Sequence, residues 1–77
     1  MCVRKSVNTT YLKQFGANLK QIRESKNMTQ AQVAIDCDVD VSVISRIERG
    51  AVNTSLSNIQ LISKALGIKT KDLFGFE

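Results

Sequence analysis

The chain has 77 residues, a length that suits one domain built around a single core. A hydrophobic content of 43% excludes a chain that is disordered throughout, and no apolar stretch approaches the roughly 20 residues that a membrane-spanning helix needs. The formal net charge is +4, histidine is absent and there are two cysteines, which argues against a zinc site or a disulfide framework and favours a cytoplasmic protein.

The first predicted helix follows a polar segment. Residues 1–10 show no hydrophobic periodicity, so we predict a flexible N-terminal arm followed by one domain over residues 11–77. The helix is predicted to run from Tyr11 to Ser25, with Asn27 just beyond its end. The apolar side chains that recur there at helical spacing are Leu12, Phe15, Leu19 and Ile22.

A capping box marks the start of the second predicted helix. Thr29 is followed three residues later by Gln32, a pattern in which side chains and backbone amides at a helix start bond to each other. The helix is therefore predicted to begin at Gln30, with Ile35 exposed to solvent. Its inward-facing residues are predicted to be Val33, Ala34 and Cys37.

Turn and cap residues separate three further helices. A tight turn at residues 38–39 precedes a third helix over residues 41–49, with Asp40 as its N-cap and Gly50 as its left-handed end. Ser55 caps a fourth helix that Gly67 ends, and the core residues of that helix are predicted to be Leu56, Ile59, Ile62 and Leu66. Thr70 then caps a short last helix from Lys71 to Phe74. Five helices with short connections predict an all-α fold.

The third predicted helix has two contrasting faces. On a helical wheel, Ile44 and Ile47 point to one side. Small and polar residues share an arc of about 140° on the other side: Val41, Ser42, Ser45, Arg46 and Arg49. Such an arc is often only a solvated face, but here a capped helix and a turn precede it. That order favours a helix-turn-helix whose second helix enters the major groove of DNA.

Three residues on that arc are candidates for base recognition. The Arg46 guanidinium can donate two hydrogen bonds to guanine, Ser42 can contact a base edge or a phosphate, and Val41 can pack against a thymine methyl group. Gln30 is a candidate phosphate contact at the N-terminus of the second helix, although an exposed glutamine is also ordinary there. The loop after the third helix supplies two further candidates, Asn53 and Thr54.

One buried ion pair is predicted. Glu48 lies at the edge of the apolar face of the third helix, and Arg23 falls within the apolar stripe of the first. Each charge would be costly to bury alone, so we expect Arg23 and Glu48 to pair and to join the two helices. Their predicted role is structural, not base recognition.

Over residues 15–74 the chain resembles the XRE/Cro/C1-type helix-turn-helix family of transcriptional regulators. The resemblance rests on a string of motifs: Phe15-Gly16, Leu19, Ile22-Arg23, Met28-Thr29-Gln30, Val33-Ala34, Ile44-Ser45-x-Ile47-Glu48-Arg49-Gly50, Asn53-x-Ser55-Leu56, Ile59, Ile62, Ala65-Leu66-Gly67 and Asp72-Leu73-Phe74. In length the chain is similar to restriction-modification controller proteins and to phage Cro-like regulators.

The resemblance implies a five-helix, lambda-repressor-like fold in which the third helix is the recognition helix. It also implies a buried Arg23–Glu48 pair, phosphate contacts at Gln30 and around Asn53, and base contacts whose positions are Val41, Ser42 and Arg46, with Ser45 beside them. The chain departs from the family pattern at three positions, where the family commonly has a turn glycine, a polar or basic residue, and a proline: Asp38, Val41 and Thr54.

A homodimer is expected, because a single recognition helix reads too few base pairs for useful specificity. The DNA partner would then be a pseudo-palindromic operator. Apolar residues beyond those needed for the core predict the dimer interface, which would consist of Leu61, Ala65, Leu73, Phe74 and Phe76. In the alternative, Phe74 only covers the core and Phe76 lies at a frayed end.

Of three functions considered for this sequence pattern, a dimeric, sequence-specific regulator that binds double-stranded DNA is favoured. An antitoxin of the same fold is the alternative, and it would need an extra interface for its toxin. An enzyme is not expected, since there is no histidine and no cluster of carboxylates on one face. We also expect no cofactor, no small-molecule ligand and no membrane partner.

Overall fold

Four α-helices and a C-terminal 3₁₀ helix make up residues 9–77, the part of the chain that this computed structural model describes. The helices are α1 (Thr9–Ser25), α2 (Gln30–Cys37), α3 (Val41–Glu48), α4 (Leu56–Leu66) and the 3₁₀ helix (Thr70–Phe74). No strand occurs among these residues, so the predicted all-α class is confirmed. The predicted number of five α-helices was wrong, because the fifth element is a 3₁₀ helix.

Helix α1 begins two residues before its predicted start, at Thr9. Thr9 and Thr10 were assigned to the arm at residues 1–10, and that boundary was wrong for both; residues 1–8 lie outside the described part of the chain. The helix ends at Ser25 as predicted, and Asn27 follows with a positive φ of 57°. An asparagine tolerates this left-handed conformation, which turns the chain towards α2.

Local side-chain bonds define the start of α2. Thr29 Oγ1 accepts a hydrogen bond from the Gln32 amide at 3.1 Å, and Gln32 Oε1 accepts one from the Thr29 amide at 2.8 Å. The predicted capping box is therefore confirmed. Asp40 occupies the N-cap position of α3 as predicted, although its side chain makes no capping hydrogen bond.

Helix α4 begins and ends as predicted. Ser55 Oγ accepts from the Asn58 amide at 3.1 Å, and Gly67 ends the helix with a φ of 70°. The predicted core position of Leu56 was wrong, since this residue is 76% exposed. At about 100° per residue, Leu56 is turned roughly 120° away from buried Ile62, so the first turn presents it to solvent.

The last element differs from its prediction at its start as well as in its type. Lys69, not Thr70, occupies the N-cap position, and the Asp72 carboxylate accepts a hydrogen bond from the Lys69 amide at 3.2 Å. The Thr70 hydroxyl lies 3.2 Å from Ser63 Oγ on α4. The segment has five residues, and 3₁₀ helices occur mostly as such short pieces because their hydrogen-bond geometry is poorer than that of an α-helix.

The core lies between all five elements. Helix α1 packs against α3 and the 3₁₀ helix, while α2 packs against α3 and α4. The buried hydrophobic residues are Phe15, Leu19, Val33, Ala34, Cys37, Ile44, Ile47, Ile62, Leu66 and Leu73. Within residues 9–77, no helix combines the length and the apolar character that crossing a bilayer requires.

Gly16 lets α1 cross the C-terminal end of α3 at backbone contact. A Cβ atom on Gly16 would lie 2.4 Å from the carbonyl oxygens of both Ile47 and Glu48, closer than real Cβ contacts allow. Only a residue without a side chain permits this approach. The crossing fixes where α3 sits on the molecule.

Candidate nucleic-acid interface

Helix α3 has one buried face and one open face. Ile44 is fully buried, and Ile47 and Glu48 are 2% and 8% exposed. Of the arc predicted from the helical wheel, four residues are exposed and Ser45 is half-buried; the exposed ones are Val41, Ser42, Arg46 and Arg49. The fold therefore anchors α3 from behind and presents these side chains outwards.

The turn before α3 is made by the end of α2. Asp38 has φ 58° and ψ 45°, a left-handed conformation that an aspartate tolerates. The amides of Asp38 and Val39 donate to the carbonyl groups of Ile35 and Ala34 at 3.1 and 3.0 Å. These bonds satisfy the end of α2 and let α3 begin three residues later, at Val41.

Arg23 and Glu48 form the buried ion pair that the sequence predicted. Arg23 Nε donates to Glu48 Oε2 at 2.6 Å and Arg23 Nη2 donates to Glu48 Oε1 at 3.1 Å. Arg23 Nη1 also donates to the Met28 carbonyl oxygen at 2.7 Å. The hydrogen bond to Glu48 raises the pKa of Arg23, so the guanidinium keeps its charge although the residue is only 8% exposed.

Gln30 joins this network, which the sequence did not predict. Its Nε2 donates to Glu48 Oε1 at 2.9 Å, and the residue is half-buried. The expected free phosphate-binding side chain is thus partly engaged within the protein. An amide nitrogen carries two donors, so one N–H of Gln30 is left for another partner. No spacing rule in the sequence indicates this contact, because the two residues are 18 positions apart.

The two loop candidates after α3 differ in accessibility. Asn53 is exposed, whereas Thr54 is half-buried and its Oγ1 is buried without a hydrogen-bond partner among residues 9–77. A hydroxyl turned into the protein cannot contact a phosphate outside it. The prediction for Thr54 was therefore wrong, and Asn53 is the loop residue that faces outwards.

Positive charge on α3 is not neutralised by nearby acids. Within the described residues no ion pair involves Arg46 or Arg49, although Arg49 Nε lies 3.4 Å from the Ser45 carbonyl oxygen. Both guanidinium groups are exposed. An open cationic face of this kind attracts a polyanion.

The predicted dimer surface is only partly open. Leu61 is 37% exposed, and Ala65 lies beside it on α4, half-buried. Leu73 is fully buried in the core, so its assignment to a subunit interface was wrong. The chain reaches this position with a 3₁₀ helix that turns Leu73 inwards, which the apolar composition of the last residues did not reveal.

Phe74 and Phe76 belong to an aromatic cluster on α1. The Phe15 and Phe74 ring centroids are 5.1 Å apart, and those of Tyr11 and Phe76 are 5.2 Å apart. Tyr11 also donates a hydrogen bond to Glu77 at 2.8 Å. Phe76 is therefore packed and not frayed, and both phenylalanines remain half-buried.

A helix-turn-helix family model matches residues 19–73. The chain is 54% identical over 63 residues to Control protein C.BamHI of Bacillus amyloliquefaciens, a match that covers 80% of this chain and 78% of that protein. It is 41% identical over 61 residues to Control protein C.MunI of Mycoplasma sp, which covers 78% of this chain and 82% of that protein.

A solved structure matches over nearly its whole length. The restriction-modification controller protein C.AhdI from Aeromonas hydrophila superposes with a TM-score of 0.83 at 35% sequence identity, covering 84% of this chain and 98% of that chain.

Proposed function

The chain belongs to the helix-turn-helix family, and we propose that it is a DNA-binding transcriptional regulator that controls a restriction-modification system. The observation that carries this proposal is the exposed face of α3, which is small, polar and cationic while its opposite face is buried. Similarity to two control proteins over most of both chains supports the choice of system. Its proposed target is genomic DNA, so it acts in the cytoplasm.

In this proposal α3 lies in the major groove. Arg46 donates two hydrogen bonds to a guanine, Ser42 contacts the neighbouring base edge or phosphate, and Val41 packs against a thymine methyl group. Ser45 and Arg49 complete the contact surface. The small side chains at positions 42 and 45 allow the α3 backbone to approach the bases.

Phosphate contacts on either side of α3 set its position in the groove. The N-terminus of α2 carries the free amides and positive dipole end that favour an anion, and the second N–H of Gln30 adds a donor there. Asn53 contacts the other strand from the loop after α3. Because Gln30 also bonds to Glu48, a phosphate at α2 is linked to the end of the recognition helix through one side chain.

The functional unit is a homodimer on a pseudo-palindromic operator. Two copies of α3 related by twofold symmetry would read half-sites about one helical turn apart, roughly 34 Å. The apolar residues left accessible for the contact are Leu61, Ala65, Phe74 and Phe76. Since the relatives compared above are control proteins, transcription control is favoured over the antitoxin alternative.

A footprint on the DNA upstream of the protein's own gene tests the proposal. We expect protection of two half-sites, and an affinity for that DNA about 10³-fold or more above that for random duplex. Equal affinity for both DNAs, or no footprint at saturating protein, would overturn it.

A further inference from the structure

Lys13 of α1 lies against the end of the recognition helix. A Cβ atom on Gly50 would be 2.7 Å from both Cα and Cγ of Lys13, and 2.8 Å from its nitrogen. Gly50 itself has a φ of 72°. The lysine therefore occupies the space into which a side chain at position 50 would project.

This place adjoins the exposed end of α3. Helix α3 ends at Glu48, and the exposed Arg49 and then Gly50 follow it directly. Arg46, in the last turn of α3, is exposed as well. Helix α1 thus supplies a lysine beside the C-terminal end of α3, where Gly50 itself carries no side chain.

The charge of Lys13 is available. The residue is exposed, and it takes part in no ion pair within residues 9–77. Arg46, Arg49 and Lys13 together form what we call the cationic edge of α3. Phosphates line both sides of the major groove, so a cation at the end of a helix inserted there meets the strand at the rim.

We propose that Lys13 binds a DNA phosphate beside the recognition helix and so extends the DNA interface onto α1. This inference rests on the proposed function. Lysine binds phosphate as a compact point charge, without the directional contacts that select a base. Lys13 therefore raises the affinity for all duplex DNA equally and adds no sequence preference.

The salt dependence of DNA binding measures this contact directly. Each phosphate neutralised by a cation releases condensed counterions, which contributes about 0.9 to the slope of log affinity against log salt concentration. The variant is Lys13→Gln, assayed with a random-sequence duplex and with the duplex upstream of the gene. Lys71→Gln is the matched control, because Lys71 is an exposed cation on the 3₁₀ helix, outside the residues assigned to the DNA and dimer interfaces. Lys13→Arg keeps the charge.

We expect Lys13→Gln to lower the slope by about 0.9 for each bound protomer on both duplexes. Lys71→Gln and Lys13→Arg should keep the wild-type slope. A lysine beside the last carbonyl groups of a helix can instead serve only that helix end. In that case Lys13→Gln would lower the melting temperature and leave the slope unchanged, which overturns the proposal.

Failure of this inference is distinguishable from failure of the proposed function. If wild-type protein binds the upstream duplex selectively but Lys13→Gln keeps its full slope, only the role of Lys13 is rejected. If wild-type protein binds neither duplex, the proposed function is rejected with it.

Discussion

At the scale of single residues, Glu48 connects the interior of the protein to its DNA-facing side. Its carboxylate accepts from two nitrogens of Arg23 and from Gln30, and the residue is 8% exposed. A buried carboxylate is tolerated only when such donors satisfy it. Because Glu48 is the last residue of α3, the same bonds hold the end of the recognition helix.

Removing one partner of this pair should destabilise the fold strongly. Arg23→Ala leaves the Glu48 charge buried without its main donor, and we expect a loss of about 3–5 kcal/mol in the free energy of unfolding. Glu24→Ala is the control, because Glu24 lies 4.0 Å from Arg23 but its side chain is 59% exposed. That variant should change stability by less than about 0.5 kcal/mol. Urea denaturation measures both, and similar losses in the two variants would contradict the role of the pair.

A substitution of Arg46 tests whether this single residue recognises a base. Arg46→Ala should weaken binding to the upstream operator by about 1–3 kcal/mol for each half-site and change binding to random duplex much less. Lys71→Ala removes an exposed cation of the 3₁₀ helix and should leave the preference for operator over random DNA intact. Fluorescence anisotropy with both duplexes measures the effect. Equal losses on operator and random DNA would show that Arg46 contacts only phosphate.

At the scale of the elements, the α1–α3 crossing determines how α3 is presented. Gly16 allows the α1 backbone to touch the last carbonyl groups of α3, and Gly50 allows it to pass Lys13. Both contacts involve backbone atoms, which cannot rotate away as a side chain would. A side chain added at either glycine would therefore push the recognition helix away from α1.

Two glycine variants distinguish the steric requirement at the crossing from the requirement for a left-handed backbone. Gly16→Ala places a methyl group 2.4 Å from two carbonyl oxygens and should cost about 3 kcal/mol of stability. Gly67→Ala meets no atom within 4 Å, and its expected cost of about 1–2 kcal/mol comes only from the left-handed φ of 70°. Thermal denaturation and operator binding should be measured on both. We expect only Gly16→Ala to weaken operator binding at a temperature where both variants are folded, and a Gly16→Ala protein with wild-type stability and affinity would refute the tight crossing.

At the scale of the whole molecule, the accessible apolar residues of α4 lie apart from the open face of α3. Leu61 and Ala65 border a surface recess of about 340 Å³, together with Asp36 and Lys64. Apolar and charged side chains together at one surface are compatible with a protein–protein contact. A dimer through this surface would leave both recognition helices free.

Two exposed leucines on α4 provide a matched test of assembly. Leu61→Glu should abolish the dimer, because it buries a charge at the proposed interface, and should leave the fold intact since Leu61 is 37% exposed. Leu56→Glu is the control at a 76% exposed position outside the predicted interface. Sedimentation equilibrium should show monomers for the first variant and dimers for the second and for the wild type. A monomeric wild type, or a dimer that survives Leu61→Glu, would contradict the prediction.

The amino-acid sequence alone determined the features that depend on neighbours within one or two helical turns. The Thr29–Gln32 capping box and the two faces of α3 were both predicted, because periodicity and capping act over a few residues. The Arg23–Glu48 pair spans 25 positions but was also predicted, since two charges on apolar faces have few other ways to be satisfied.

Only the tertiary structure decided which side chains distant elements cover. Leu56 is exposed, Leu73 is buried and the Thr54 hydroxyl points inwards, in each case against its prediction. The bond from Gln30 to Glu48 and the position of Lys13 beside Gly50 likewise depend on how helices cross. Periodicity identifies the faces of one helix, but burial and partners are set by packing between elements far apart along the chain.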